Sequence, residues 1–367
     1  MPRLVSTKVL CLTLTAIACS SQPRPSSGPS IEMEASAGSC AAPRAPLPST
    51  GFARASSGGL VAFDPATGRQ LALKPLGFEI VDLAWDERTR RVLVTGAEGF
   101  DVEGSRVHAF AFDGADFEHE ASSEVFPGEI RVLPSPARVL VIGVDLASTW
   151  YELDDDLGVV GTSEALPQPS LVAEPGAASV LALRREAQAD VVYRVSGFAA
   201  GWASAELALP RSTPERAAAL ATAGERAWLL ARGESLEGFA IASLEAAGFP
   251  AERPSFRPVP GSCGLGAPLS VDTDASGCSL VAVTGATRDG LAVVPTSPGR
   301  TTRCAESGAP LARADQWVPR NLLVDRGGRR AWVATEEGVE SFALEPSLEK
   351  VSSFAGTELR APITLAR

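Results

Sequence analysis

The sequence predicts an all-β chain folded as a seven-bladed β-propeller, each blade a four-stranded antiparallel sheet, with the last blade closed by the C-terminal strand pairing with N-terminal strands. Three observations carry the prediction. An apolar phrase recurs along the chain at blade-length intervals, turn residues recur in a fixed slot ahead of it, and the two ends of the body supply complementary parts of one further repeat.

The phrase is a short run that often follows Arg and ends in small residues: Arg91-Val92-Leu93-Val94-Thr95-Gly96, Arg138-Val139-Leu140-Val141-Ile142-Gly143, Arg226-Ala227-Trp228-Leu229-Leu230-Ala231 and Arg330-Ala331-Trp332-Val333-Ala334-Thr335, with weaker copies at 179–183 and 280–285. Starts near 91, 138, 179, 226, 280 and 330 lie 41 to 54 residues apart. A four-stranded blade takes about 40–50 residues. In the first complete unit, strands are expected at 80–86, 91–96, 106–113 and 118–126. Asp86-Glu87-Arg88-Thr89-Arg90 turns between the first two, and the same slot holds turn chemistry at 134–136, 174–176, 274–277 and 325–328. Third strands recur at 60–64, 108–113, 191–195, 238–242 and 340–344.

Residues 51–64 match the second and third strands of a unit, and 361–366 match a first strand such as 129–133. Joined, they make a composite blade that brings six internal units to seven and removes the exposed sheet edges. The two longest spacings, 226 to 280 and 280 to 330, leave a six- or eight-bladed ring as the alternative count. With this rhythm, the small-residue strand ends and the phrase Phe63-Asp64-Pro65-Ala66-Thr67-Gly68-Arg69, residues 50–367 resemble bacterial propellers of the YVTN and lactonase-like, WD-repeat-like class. The resemblance implies the fold; the activity of a lactonase-like relative would use Arg, Asp and Glu on channel-facing loops.

Ahead of the body, residues 1–18 read as an export signal. Arg3 and Lys8 form a positive start, 9–18 an apolar stretch, and small residues precede Cys19. Ten apolar residues are too few for a bilayer span, which needs roughly 20. Ala16-Ile17-Ala18-Cys19 resembles the lipobox of bacterial lipoproteins, with Ala16 where Leu is preferred. The resemblance implies lipidation of Cys19 and a membrane as partner through that anchor; Ser20 in place of Asp implies sorting to the outer membrane. Residues 19–49, rich in Ser, Pro, Gly and Ala, read as a tether, and 50–367 as the propeller domain.

Charge and composition then exclude whole classes of function. The chain carries 33 Lys+Arg against 44 Asp+Glu, a net charge of −11. Loss of Arg3 and Lys8 leaves 31 basic residues and a net charge of −13. Nucleic-acid binding needs clustered cations, so no nucleic-acid partner is expected. There are two His, His108 and His119, and neither a Gly-x-Ser-x-Gly elbow, a His-Glu-x-x-His helix nor a Gly-rich phosphate loop. Both His are expected to be packing or surface residues. Asp272-Thr273-Asp274-Ala275-Ser276-Gly277 opens like a calcium loop, but its twelfth position is Val283 rather than Glu, and it occupies the recurrent hairpin slot. A turn is expected there, and solvated carboxylates at Asp154-Asp155-Asp156; no metal and no cofactor are expected.

With Cys11 in the signal and Cys19 lipidated, Cys40, Cys263, Cys278 and Cys304 remain, an even number that in an exported chain implies disulfides. Of three connectivities, none is singled out. At least one bridge is expected among Cys263, Cys278 and Cys304, pinning a long loop at 249–266, while Cys40 ties the tether to the ring. Strands of a blade that are not neighbours lie about 9–10 Å apart and are not bridged.

Two functions stay open on the sequence alone. One is a lipid-anchored envelope scaffold that binds a protein or small ligand. The other is a lactonase-like hydrolase, for which Arg131, Arg216 and Arg320 are channel-lining candidates without assigned roles. A cluster of carboxylates and Arg converging in the channel favours the enzyme; a mixed loop face favours binding.

Overall fold

The computed structural model describes residues 47–366 apart from 98–105, 134–137, 144–148, 173–178, 211–218, 233–237, 246–253, 262–266, 286–289, 307–320 and a few interruptions of one or two residues. The chain divides into two units, Met1–Ser39 and Cys40–Arg367, of which the second contains all described residues. The export signal, Cys19, Cys40 and nearly all of the tether therefore lie outside the described residues.

Every regular element among the described residues is a strand, and the strands form seven four-stranded antiparallel sheets. Blade 1 contains β1 (Thr50–Ala55), β2 (Leu60–Phe63) and β3 (Gln70–Lys74). Blade 2 follows as β4 (Glu79–Asp86), β5 (Arg91–Ala97), β6 (Arg106–Phe112) and β7 (Phe117–Glu124), and blade 3 as β8 (Gly128–Leu133), β9 (Arg138–Gly143), β10 (Trp150–Leu153) and β11 (Val159–Ser163). Blade 4 is β12 (Leu171–Val172), β13 (Ser179–Arg185), β14 (Ala189–Ser196) and β15 (Ala203–Pro210); blade 5 is β16 (Ala219–Ala223), β17 (Arg226–Arg232), β18 (Phe239–Glu245) and β19 (Arg257–Val259). Blade 6 is β20 (Ala267–Thr273), β21 (Ser279–Gly285), β22 (Gly290–Pro295) and β23 (Arg303–Glu306), and blade 7 is β24 (Leu322–Val324), β25 (Arg330–Ala334), β26 (Val339–Ala343) and β27 (Glu349–Ser353). The last strand, β28 (Leu359–Ala366), pairs antiparallel with β1, so that blade 1 reads β28-β1-β2-β3. The count is seven, and the six- and eight-bladed alternatives are excluded: the long spacings hold ordinary blades. The supposed loop at 249–266 is also corrected, because it contains β19, the outer strand of blade 5. Three residues with Pro258 in the middle are too few to show a period, and a Pro is tolerated on an edge strand.

The apolar phrases are the second strands, and burial explains their composition. In β5 and β9 consecutive residues are buried, because both faces of the strand meet a neighbouring blade. Alternate residues go to opposite junctions: Val92 and Val94 pack with Phe52 and Leu60 of blade 1, whereas Leu93 packs with Ile130 and Val141 of blade 3. Seven apolar clusters arise in this way, one between each pair of consecutive blades. Outer strands face water and read polar, as Phe-Glu-His-Glu-Ala-Ser-Ser-Glu does in β7.

Closure joins the two halves of blade 1. The register runs from Thr50 opposite Ala366 to Ala53 opposite Ile363, slips at a bulge, and resumes with Arg54 opposite Arg360. The bulge passes Pro362, which has no amide to donate to a ladder. Glu358 reinforces the joint, accepting Ser56 Oγ at 2.7 Å and Ser57 N at 3.0 Å. Across to blade 7, Trp332 Nε1 donates to Pro65 O at 2.9 Å, and Leu323, Trp332 and Val339 pack with Val61, Phe63 and Ile363. The Phe63-to-Arg69 phrase is thus a turn at the closing junction. Asp64 Oδ1 accepts Ala66 N, and Gly68 sits at φ 70° where a Cβ would lie 2.2 Å from Phe354.

Residues 50–358 should therefore unfold at a much lower temperature than 50–367 or aggregate. Loss of β28 leaves the buried ladder groups of β1 unpaired, at about 1–3 kcal/mol each, and strips Ile363 and Leu365 from the closing cluster. Differential scanning calorimetry of the two fragments checks this; equal cooperative melts would contradict closure by β28.

Candidate functional site

The first strand of each blade is its innermost, and these strands adjoin one another around the axis: β28 meets β4 and β24, β4 meets β8, and β20 meets β16 and β24. Their side chains would be the reacting groups of a channel enzyme. A charged cluster among the described residues there holds Asp82, Glu129 and Arg131, exposed 0%, 4% and 5%. Its groups are turned to the fold. Asp82 Oδ1 accepts Leu83 N and Oδ2 accepts Ile130 N, both at 2.8 Å, clasping blade 2 to blade 3. Arg131 pairs with Glu129 and with Asp82 at 3.7 Å, and donates to Val172 O in blade 4 at 2.9 Å. Asp272 repeats the device between blades 6 and 7, taking Thr273 N at 2.8 Å and Val324 N at 2.7 Å. Arg131 is therefore a clasp residue; Arg216 and Arg320 lie outside the described residues.

The turns that follow the first strands are also built on carboxylates. Asp86 Oδ1 accepts Arg88 N, Asp274 Oδ1 accepts Gly277 N, and Asp325 Oδ1 accepts Arg329 N and Arg330 N at 2.6 Å. In the first case the turn ends on Arg90 at φ 57°, in the second on Gly277 at φ 63°, a left-handed position that favours Gly. The stretch Asp272 to Gly277 is thus a hairpin turn with its leading carboxylate bonded to the next blade. Asp154 serves the β10–β11 turn by accepting Asp156 N and Gly158 N, while Asp155 pairs with Arg88, whose hydrogen bond holds the Asp155 carboxyl below its ordinary range.

These turns bring the ends of β4, β24 and β28 around a pocket of about 600 Å³ at one mouth of the channel. Trp85 forms one wall, stacked on Phe52 at 5.4 Å with 16° between planes, its backbone N–H donating to Thr364 Oγ1 at 3.3 Å. Its indole Nε1 is buried without a hydrogen-bond partner. Asp325, 3% exposed, lines the opposite side; with Oδ1 committed to its turn, Oδ2 has no hydrogen-bond partner, and the Arg329 Nε is 3.9 Å away. Arg90 and an Arg326–Glu87 ion pair of 2.7 Å complete the rim. The pocket combines an aromatic wall, a buried carboxylate paired with Arg329 and exposed guanidinium groups. Among these residues no hydroxyl, thiol or imidazole nucleophile is paired with a base.

Sequence reasoning did not find this pocket. Trp85, Asp325 and Leu365 are far apart in the chain, and only the recurrence of Asp at the ends of first strands hinted at it. Of the candidate disulfide cysteines, two lie among the described residues. Cys278 precedes β21 and Cys304 lies in β23, with β22 between them. Strands two apart are about 9–10 Å from each other, beyond the Cα separation of about 7 Å that a disulfide tolerates, so these two are not partners. Cys40 and Cys263 lie outside the described residues. The two histidines, expected to be packing or surface residues, are also in contact with each other: His108 Nδ1 is 3.2 Å from His119 Nε2. Burial, together with repulsion from His119 and Arg106, pushes His108 down to about 4.

The ring defines a seven-bladed propeller with a pocketed channel mouth, and comparison with solved structures gives the same class. A functionally unknown protein from Desulfotomaculum acetoxidans DSM 771 superposes with a TM-score of 0.63 at 13% identity, over 86% of this chain and 98% of that one. A candidate 6-phosphogluconolactonase from Bacteroides fragilis NCTC 9343 gives 0.57 at 12% identity over 86% and 97% of the two chains. One from Bacteroides uniformis ATCC 8492 gives 0.56 at 13% over 86% and 98%. At such identities the likeness is one of fold. No protein-family model and no curated protein matches the chain.

Two outcomes follow. Asp82→Ala leaves Ile130 N–H, Leu83 N–H and a buried guanidinium short of an acceptor and should destabilise by about 3–5 kcal/mol, with Asp82→Asn milder; urea unfolding measures both. The unfolded chain protonates His108 near 6.5 and the folded chain only near 4, so acidification through that window favours unfolding. In EDTA the melting temperature should fall between those pH values, and fall less in His108→Phe.

Proposed function

We propose that this chain is an exported bacterial envelope protein, anchored by a lipid on Cys19 through the tether 19–49, whose propeller at 50–367 is a scaffold that binds a small polar ligand at the channel mouth. The observation that carries the binding reading is the pocket of about 600 Å³ between Trp85 and Asp325, rimmed by Arg90 and Arg326. Its size lies within the range of about 300–1,000 Å³ usual for small-molecule sites. Export is supported by the signal-like residues 1–18, and an oxidising compartment by the bonded, non-thiol form of Cys278 and Cys304. Since those two do not reach each other, each is proposed to pair with one of Cys40 and Cys263.

The hydrolase reading rests on fold likeness to two candidate 6-phosphogluconolactonases. Against it stands the state of the channel cluster, where Asp82, Glu129 and Arg131 are occupied in holding blades together.

Two measurements test the proposal. In cells, the full chain should fractionate with membranes and carry added lipid mass, and Cys19→Ser should move it to the soluble fraction. In a ligand-observed NMR screen of polar fragments, hits should be lost in Asp325→Asn, which keeps the turn acceptor but removes the charge, and in Arg326→Ala. Hits indifferent to both changes would refute the pocket. Hydrolysis of 6-phosphogluconolactone above background, lost in either variant, would favour the enzyme.

A further inference from the structure

The only two histidines of this 367-residue chain are brought into contact at the rim between blades 1 and 2. A defect in strand pairing does this. β6 and β7 run in register from Arg106 opposite Glu124 to Ala109 opposite Ala121, and then the pairing slips so that Phe110 opposes His119. Glu120 is the extra residue, and it pairs instead with Arg91. Without the bulge Glu120 would oppose Phe110 and His119 would point to the other face of the sheet, because side chains alternate along a strand. The bulge turns His119 onto the face that already carries His108.

Both rings are held there by aromatic neighbours. His108 stacks on Phe78 with centroids 4.7 Å apart and 10° between planes, and Phe110 meets His119 at 5.3 Å and 66°. The His108 and His119 rings are tilted by 59° and direct Nδ1 of one and Nε2 of the other to within 3.2 Å. Two nitrogens at that separation, each about 2.0–2.1 Å from a common ion, subtend about 100° at it, close to the tetrahedral angle. Nearby charges are committed elsewhere: Arg106 pairs with Glu124 at 3.3 Å, and Lys74 Nζ donates to Phe117 O at 3.1 Å. His119 opens on a cleft of about 440 Å³ shared with Lys74, Asp113, Asp116 and Glu118.

We propose that His108 and His119 form a two-imidazole site for a late first-row divalent metal ion, with Cu2+ bound more tightly than Ni2+ or Zn2+. Imidazole nitrogen suits these ions, and their affinity order at a fixed nitrogen site places Cu2+ first. No cluster of three or more His, Cys, Asp or Glu ligands forms among the described residues, so the remaining coordination positions belong to water or to an incoming molecule in the cleft. The site is therefore one of exchangeable binding rather than a folding staple. It is independent of the channel-mouth pocket.

The test is a titration of the untagged full chain with CuSO4, followed by calorimetry and by EPR of the complex at one equivalent. The expected result is one saturable site whose EPR spectrum carries coupling to two imidazole nitrogens. His119→Gln should weaken it by at least about tenfold and remove one nitrogen coupling. His119 is exposed, so this variant keeps the core intact; circular dichroism and an unchanged melt in EDTA verify that. Absence of saturable binding to the wild type, binding of the same affinity in His119→Gln and His108→Gln, or a spectrum of backbone-amide or all-oxygen coordination would overturn the proposal and leave the pair as an imidazole–imidazole hydrogen bond.

Discussion

A four-stranded blade with two apolar faces is stable only when both faces are covered, and in a ring that condition is met by the next blade on each side. Everything else in this molecule follows from meeting it seven times. Six junctions are made by neighbours in sequence. The seventh must be made by the ends of the body, and the antiparallel pairing of β1 with β28, the Glu358 bonds to Ser56 and Ser57 and the Trp332-to-Pro65 bond all serve it. Because alternate residues of one strand go to different junctions, β5, β9 and β17 are apolar at nearly every position rather than every second one. The ring's geometry thus explains the phrase by which it is recognised.

The same constraint governs the acidic residues. A chain with 44 Asp+Glu could present a strongly negative channel, yet among the described inner-strand carboxylates Asp82 and Asp272 are turned to backbone amides and Glu129 to Arg131. Asp82 and Asp272 each bond the amide of the following residue and that of the adjoining blade, where a hydrophobic contact would fix neither register nor angle. Asp86, Asp274 and Asp325 nucleate the turns that follow. Carboxylates spent on backbone amides are acceptors only and have little capacity left for proton transfer. Asp325 divides its two oxygens, Oδ1 accepting the turn amides and Oδ2 facing the Arg329 guanidinium, and lines the mouth pocket with Trp85.

Most of the fold was legible in the sequence, and the site was not. Apolar runs, turn chemistry and repeat length are local, so strands expected at 80–86, 91–96, 106–113 and 118–126 are found at Glu79–Asp86, Arg91–Ala97, Arg106–Phe112 and Phe117–Glu124. The composite blade was legible for the same reason: its halves carry the pattern of whole blades. β19 was missed because three residues around Pro258 present no period. Arg131 was read as a channel candidate because position along a strand does not reveal its partners, and these are Asp82, Glu129 and the Val172 carbonyl from three different blades.

The histidines mark the boundary between the two kinds of information. Alternation alone puts His108 and His119 on opposite faces of their sheet, and a single bulged residue reverses that. A bulge is chosen by the twist and curvature that the sheet needs to pack against blade 1, a quantity shared between two blades and written in neither. So the sequence by itself determined most of the strands, their turns and the closure, and favoured seven blades over six or eight, because each depends on residues close in the chain or on a repeat. Only the tertiary structure decided which charges are neutralised, which residues meet at the channel mouth and which imidazoles meet, because contacts between blades depend on register and twist accumulated around the whole ring.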